Sequence, residues 1–219
     1  MLLSEFFTTN TVVELVCFST AVLCLSRDKE PVWRYQRVYL LIVCLTELFA
    51  RYLKKGLHLP NQWPYNIMLL FEAPFISLMF AHLLDRYNKK SRFWLSVGLL
   101  VLAAVYAIDL FTSEYGFARM SDITDNLMSA LFSAYAFYYF YLLLKDDAYV
   151  DLRFSAEFWW VIGVLVFYFG TTGVDLYRDS SAELGKRHLS SYIKDAFIVI
   201  CYSCWSYSFI CRKRLNRST

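Results

Sequence analysis

Residues 65–84 read YNIMLLFEAPFISLMFAHLL. At 1.5 Å per residue, twenty helical residues reach about 30 Å, the thickness of a bilayer's hydrocarbon core. The run is continuous and apolar, whereas a barrel strand would need about ten residues alternating apolar with polar. Inside it stands one carboxylate, Glu72, with Pro74 two residues on, which removes a backbone donor and is expected to bend the helix. The same kind of run recurs on both sides of it. Residues 6–25 and 38–53 precede it, and residues 93–111, 123–144, 158–174 and 192–211 follow. In lipid the backbone must satisfy its own hydrogen bonds, so these runs are expected to be helices. The expected fold class is all-α: one domain over residues 1–219, a polytopic membrane protein with seven transmembrane helices.

Composition agrees. The 219 residues are 58% hydrophobic, 19% aromatic and 19% charged, against about 45 to 50% apolar and 25% charged in soluble domains. That balance excludes an ordinary soluble enzyme and leaves no room for a sizeable soluble domain beside seven spans. The first run lacks a basic residue before it and a small-residue cleavage site after it, so it reads as a retained helix.

Orientation follows from lysine and arginine near the ends of the spans, which are retained on the cytoplasmic side. Arg27, Lys29, Arg34 and Arg37 follow the first span, and Arg86, Lys89, Lys90 and Arg92 the third. Lys145 and Arg153 follow the fifth; Arg212, Lys213, Arg214 and Arg217 follow the last. These are fourteen of the 22 basic residues. The other eight, including Arg51, Arg119, Arg178 and the pair Lys54 and Lys55, fall on the opposite side. The N-terminus is therefore expected outside and the C-terminus inside, in a bacterial inner membrane. The net charge of +3 is accounted for by topology and by anionic lipid, and implies no direct contact with nucleic acid.

Ionisable residues within the spans are the functional signal, because they are costly in hydrocarbon and usually face a bundle interior or a watery cavity. Glu14, Glu47 and Glu72 lie respectively eight, six and seven residues from the outer ends of their spans, or about 9 to 12 Å down at the helical rise. Three carboxylates thus share one layer. Arg51, one turn from Glu47, is expected to pair with it and to be held inward as a receptor for an anionic group. Asp109, Asp125 and Asp195 mark the outer ends of the fourth, fifth and seventh spans, and Asn66 stands near the mouth of the third. The inner halves are almost uncharged, so a pocket open to the outside is expected, plugged below. Its candidate ligand-binding residues are Glu14, Glu47, Arg51, Asn66, Glu72, Asp109, Asp125 and Asp195.

Catalytic signatures are thin. There is no HExxH, GxSxG, Walker loop or GxGxxG. Three histidines, two in outer connections, argue against a multi-histidine metal centre, and neither metal nor cofactor is expected. Lys194, at the outer end of the last span, stands too high for a retinal lysine. The six cysteines fall within spans or at their inner ends, and Cys201 and Cys204 have CxxC spacing in mid-helix. Packing thiols are expected, not disulfides. Gly163 and Gly170, seven apart on the sixth span, are expected to admit a closely packed neighbour.

Three stretches, LTELFARYL (45–53), NQWPYNIMLLFEAPF (61–75) and EFWWVIGVLVFYFG (157–170), resemble a group of small seven-helix membrane proteins of Bacteroidota and related bacteria. They are similar to the seven-helix sensor regions that precede histidine kinases or other output domains. The resemblance implies a sensing role. Because the sequence ends after LNRST, any signal is expected to pass to a separate cytoplasmic protein. Three readings stand at this point. The first is a sensing or partner-binding module taking a small polar or amphipathic ligand from outside. The second is a membrane-embedded hydrolase or transferase in which paired carboxylates divide acid and base roles. The third is an accessory membrane subunit or regulator of a larger complex, such as a defence system.

Overall fold

A computed structural model describes residues 8–112, 122–146, 151–179 and 184–218. They form an all-helical chain in the order α1 (Thr9–Leu25), α2 (Pro31–Arg51), α3 (Trp63–Asp85), α4 (Ser91–Thr112), α5 (Asp122–Lys145), α6 (Ala156–Asp179) and α7 (Leu184–Ser218). Four of these, α3 to α6, are long and apolar enough to cross a membrane. Helix α1 is apolar and shorter. Residue 6, the expected start of the first span, and Arg119 lie outside the described residues.

Local chemistry sets the helix ends. Pro31 and Pro64 stand in the first turns of α2 and α3, where a missing N–H has no intrahelical acceptor to lose. Asp28 accepts the backbone N–H of Glu30 and Asn88 that of Lys90, folding the connections before α2 and α4 into short turns. Ser155 caps α6 by accepting the N–H of Phe158. Helices α2 and α7 run furthest beyond their expected spans. Helix α2 begins at Pro31 and α7 extends from Leu184 to Ser218, so Arg34, Arg37, His188 and Arg212 are helical and not in connections. Polar flanks continue a helix readily once its apolar centre is packed.

The helices close a ring. Helix α1 packs on α2, α2 on α3, α3 on α5, α5 on α6, α6 on α7 and α7 back on α1, with α4 outside against α3 and α5. Accordingly α4 presents Phe93, Trp94, Leu100, Ile108 and Phe111 on its free side, an apolar surface that would be an aggregation liability in water.

The tightest seam joins α6 and α7. Trp160 and Trp205 stack with ring centroids 5.8 Å apart, the Trp205 indole N–H donates to the Trp160 carbonyl at 3.1 Å, and Ser208 donates to the Ala156 carbonyl at 2.7 Å. Gly163 makes this approach possible. A Cβ there would lie 2.7 Å from the Trp205 ring and 3.1 Å from the Cys201 carbonyl oxygen. Gly163→Ala is therefore expected to cost about 1 to 3 kcal/mol through overpacking, seen as a lower melting temperature in detergent. Gly173→Ala, with nothing within 4 Å of the added carbon, should leave melting unchanged or slightly raised. Equal melting of the two variants would count against this packing.

Candidate functional site

Helical spacing puts each expected acid on an inward face. On α1 the buried stripe is Thr11, Glu14, Cys17, Ala21 and Leu25, so Glu14 sits on the face that carries the core. On α3, Tyr65, Met68 and Glu72 follow at three and four residues along one face. On α2, Tyr39, Val43, Thr46 and Glu47 do likewise. These faces, with Phe167 and Tyr168 of α6 and four residues of α7, surround a cavity of about 220 Å³ into which Glu14, Glu47 and Glu72 all turn. Five helices contribute; α4 and α5 do not.

The three acids differ in their partners. Glu47 receives the Arg51 guanidinium through Nε at 2.6 Å on one oxygen and the Tyr65 hydroxyl at 2.7 Å on the other. Glu72 accepts the Tyr168 hydroxyl. Glu14 is buried, and its Oε2 meets no hydrogen-bond donor among the described residues. Aromatic rings floor the cavity. Tyr39 stacks on Phe75 at 4.3 Å and meets Trp205 edge-on at 6.1 Å, and Trp205 leads through its stack with Trp160 to Phe80.

The remaining expected site residues stand elsewhere. Arg51 is half-buried behind Glu47, its guanidinium engaged by that carboxylate, and it is not part of the cavity wall. The i,i+4 pair expected from the sequence is present, Glu47 drawing the guanidinium inward. Asn66 is buried on α3 and off the cavity wall; its backbone carbonyl accepts the Tyr106 hydroxyl of α4 at 3.0 Å. One residue along a helix turns a side chain by about 100°, so Asn66 and Tyr65 have different neighbours. Asp195 accepts the Asn10 amide at 2.7 Å, tying α7 to α1. Asp109 and Asp125 are half-buried on α4 and α5, the two helices that do not reach the cavity. Asp175, near the end of α6, pairs with Lys194 of α7 at 2.6 Å. Pro74 faces a separate crevice between α3 and α4, with Leu78, Leu95 and Leu99.

A second polar assembly, at the opposite end of the bundle, is not foreseen by the sequence reading. Arg212 of α7, 6% exposed, donates to Asp28 from Nε at 2.9 Å and from Nη2 at 3.3 Å. Its Nη2 also pairs with Glu30 at 2.9 Å. Asn216 adds a hydrogen bond to Asp28 at 2.6 Å, His82 of α3 reaches Glu30 at 2.8 Å, and the Arg212 guanidinium lies 5.3 Å from the Trp33 ring centroid. Burial pushes the Asp28 carboxyl up, but Arg212, the Glu30 N–H and Asn216 together outweigh it and hold the group below the usual carboxylate range. The sequence reading counted Arg212 for topology alone; Asp28 and Glu30, in the connection before α2, are its acidic partners.

The aromatic floor lies between the two assemblies and α7 is common to both. From Cys201 in the cavity wall to Arg212 is eleven residues, about 16 Å of uninterrupted helix. The six cysteines are free thiols, four of them buried. No group of three or more histidine, cysteine, aspartate or glutamate side chains among the described residues is placed to hold a metal ion. The cavity can hold a positive charge between acids and ring faces; it has no lysine, arginine or histidine among its described lining residues.

Against family models, curated proteins and solved structures, the chain finds no match.

Proposed function

We propose that this chain is a seven-helix integral protein of the bacterial inner membrane, N-terminus outside and C-terminus inside, that senses a small ligand in an outward-opening pocket. The single observation that carries the reading is the convergence of Glu14, Glu47 and Glu72, from three helices, on one cavity with an aromatic floor. Acids within apolar helices are expensive unless they do something there. Of the three, Glu47 alone is paired with a basic side chain among the described residues, so mutual neutralisation does not account for the cluster. The distribution of basic residues supports the orientation, and the resemblance to sensor regions of histidine kinases supports the role.

In this reading α7 carries the signal. A ligand that displaces the cavity wall at Cys201, Tyr202 or Trp205 shifts the same helix that bears Arg212 and the basic end beyond it, where a cytoplasmic protein partner would dock. Coupling of this kind requires the ligand to prefer one of two helix positions. The hydrolase or transferase reading would fall to Glu14 and Glu72, because Glu47 is already bonded on both oxygens and a general acid or base needs a free proton site.

Two measurements test orientation and access. A periplasm-active reporter fused after Arg217 should be silent and a cytoplasm-active one should work; the reverse would overturn the topology. For access, Thr46→Cys is placed in the cavity wall of a chain whose six cysteines are replaced by alanine. A membrane-impermeant thiol reagent added to intact spheroplasts should label it. Labelling only after the membrane is opened would refute an outward-facing pocket.

A further inference from the structure

The cavity's chemistry narrows the ligand. Glu47 is satisfied by Arg51 and Tyr65, and Glu72 is held by a neutral hydroxyl, that of Tyr168. Glu14 is 7% exposed and lines the space, and its Oε2 is buried with no hydrogen-bond partner among the described residues. With three acids and no basic side chain among the described lining residues, the cavity offers an anion no partner of opposite charge. It also fails as a metal site, since its acids do not gather closely enough to coordinate one ion, and a hard cation wants several oxygens at roughly 2.0 to 2.6 Å. A neutral polyol could donate to the acids, but most of the remaining wall is ring and aliphatic surface that gives its other hydroxyls few partners.

What remains between the acids is ring surface. Tyr39, Tyr65, Phe167, Tyr168, Tyr202 and Trp205 all line the space, and aromatic faces attract cations whose substituents are weakly hydrated. The volume of about 220 Å³ lies below the roughly 300 to 1,000 Å³ of drug-sized sites. Resting on the sensing-pocket reading above, we propose that the ligand is a small organic cation, an alkylammonium or quaternary ammonium compound, with its charge beside Glu14 and Glu72 and its carbon substituents against the rings.

The test uses the purified full chain in detergent, with tetramethylammonium and n-butylammonium as probes. Uncharged tert-butanol and equimolar sodium chloride serve as controls. At least one ammonium probe at millimolar concentration should raise the melting temperature by several degrees where neither control does. Glu14→Gln and Glu72→Gln, each first shown to melt cooperatively, should weaken that effect at least tenfold in probe concentration. The same probe should slow thiol labelling of the Thr46→Cys chain. Protection by neither ammonium ion, equal protection by tert-butanol or sodium chloride, or undiminished protection in both glutamine variants would each overturn the assignment. If the thiol reagent reaches the introduced cysteine from outside but no ammonium ion protects it, the cation inference fails while the outward pocket stands. If the reagent cannot reach that thiol, the pocket reading itself fails.

Discussion

Replacing Arg212 by alanine is expected to cost about 3 to 5 kcal/mol, the range for breaking a buried ion pair by deleting one partner. The loss is large because the deletion leaves Asp28, 4% exposed, as a buried carboxylate stripped of two guanidinium bonds. Glu30 and the face of Trp33 lose the same cation. Arg212→Lys should recover only part of the loss, since an ammonium cannot serve Asp28 and Glu30 with the geometry of a planar fork. The double change Asp28→Asn with Arg212→Met should be milder than Arg212→Ala alone, because it removes both charges together. Thermal or denaturant unfolding of the four proteins in one detergent measures this ordering. A double variant no more stable than Arg212→Ala would show that packing, and not charge, holds this end together.

Acid should act on the same place. Because the folded-state pKa of Asp28 is lowered, its contribution is fully present above the unfolded carboxylate value of about 3.9. It is lost as pH falls through the lower folded value. Asp28→Asn should therefore flatten the acid limb of melting temperature against pH, and an unchanged limb would assign the acid sensitivity to other groups.

The helices and the acidic cavity were legible in the sequence for one reason: cost in hydrocarbon makes position informative. An acid seven residues into an apolar run has few places to point, so counting residues from the ends of three spans was enough to bring Glu14, Glu47 and Glu72 to one depth. Facing is harder to read. Asn66 and Tyr65 are neighbours in sequence, and only packing against α4 decides that Tyr65 lines the cavity and Asn66 does not. The cluster around Arg212 was missed for a different reason. Residues 27–34 read RDKEPVWR, and at a span end either sign of charge is unremarkable, so Asp28 and Glu30 look like solvated turn residues until α7 closes the ring beside them. A usable clue existed. Residue 28 follows the first span and residue 212 follows the last, so one orientation puts them at one depth on opposite ends of the chain. The aromatic rings that wall the cavity were equally hidden, because 19% aromatic content spreads rings over every helix and marks none of them.

The three glutamates should separate when each is changed to glutamine, because their partners differ. Glu47→Gln removes the anion that two Arg51 nitrogens contact and leaves a half-buried guanidinium against a neutral amide. Its melting temperature should fall most, by about 1.5 to 3 kcal/mol in stability, the range for hydrogen bonds to charged groups. Glu72→Gln keeps an acceptor for the Tyr168 hydroxyl and should melt close to the parent. Glu14→Gln deletes a buried carboxyl with an unpartnered oxygen, so no hydrogen bond at that oxygen is lost, and the variant should melt at or above the parent temperature. Ligand response should rank differently. Glu14→Gln and Glu72→Gln should weaken it at least tenfold although the fold is intact, whereas polar glue would have made stability and function fall together. A residue that weakens the fold by its presence and is needed for response is the pattern of a binding site, where stability is given up for a carboxyl held ready for a ligand. Measuring melting and ligand response on the same three preparations decides the matter: a Glu14→Gln protein that is markedly less stable would make the cluster structural, and three variants that respond like the parent would remove the pocket from any sensing role.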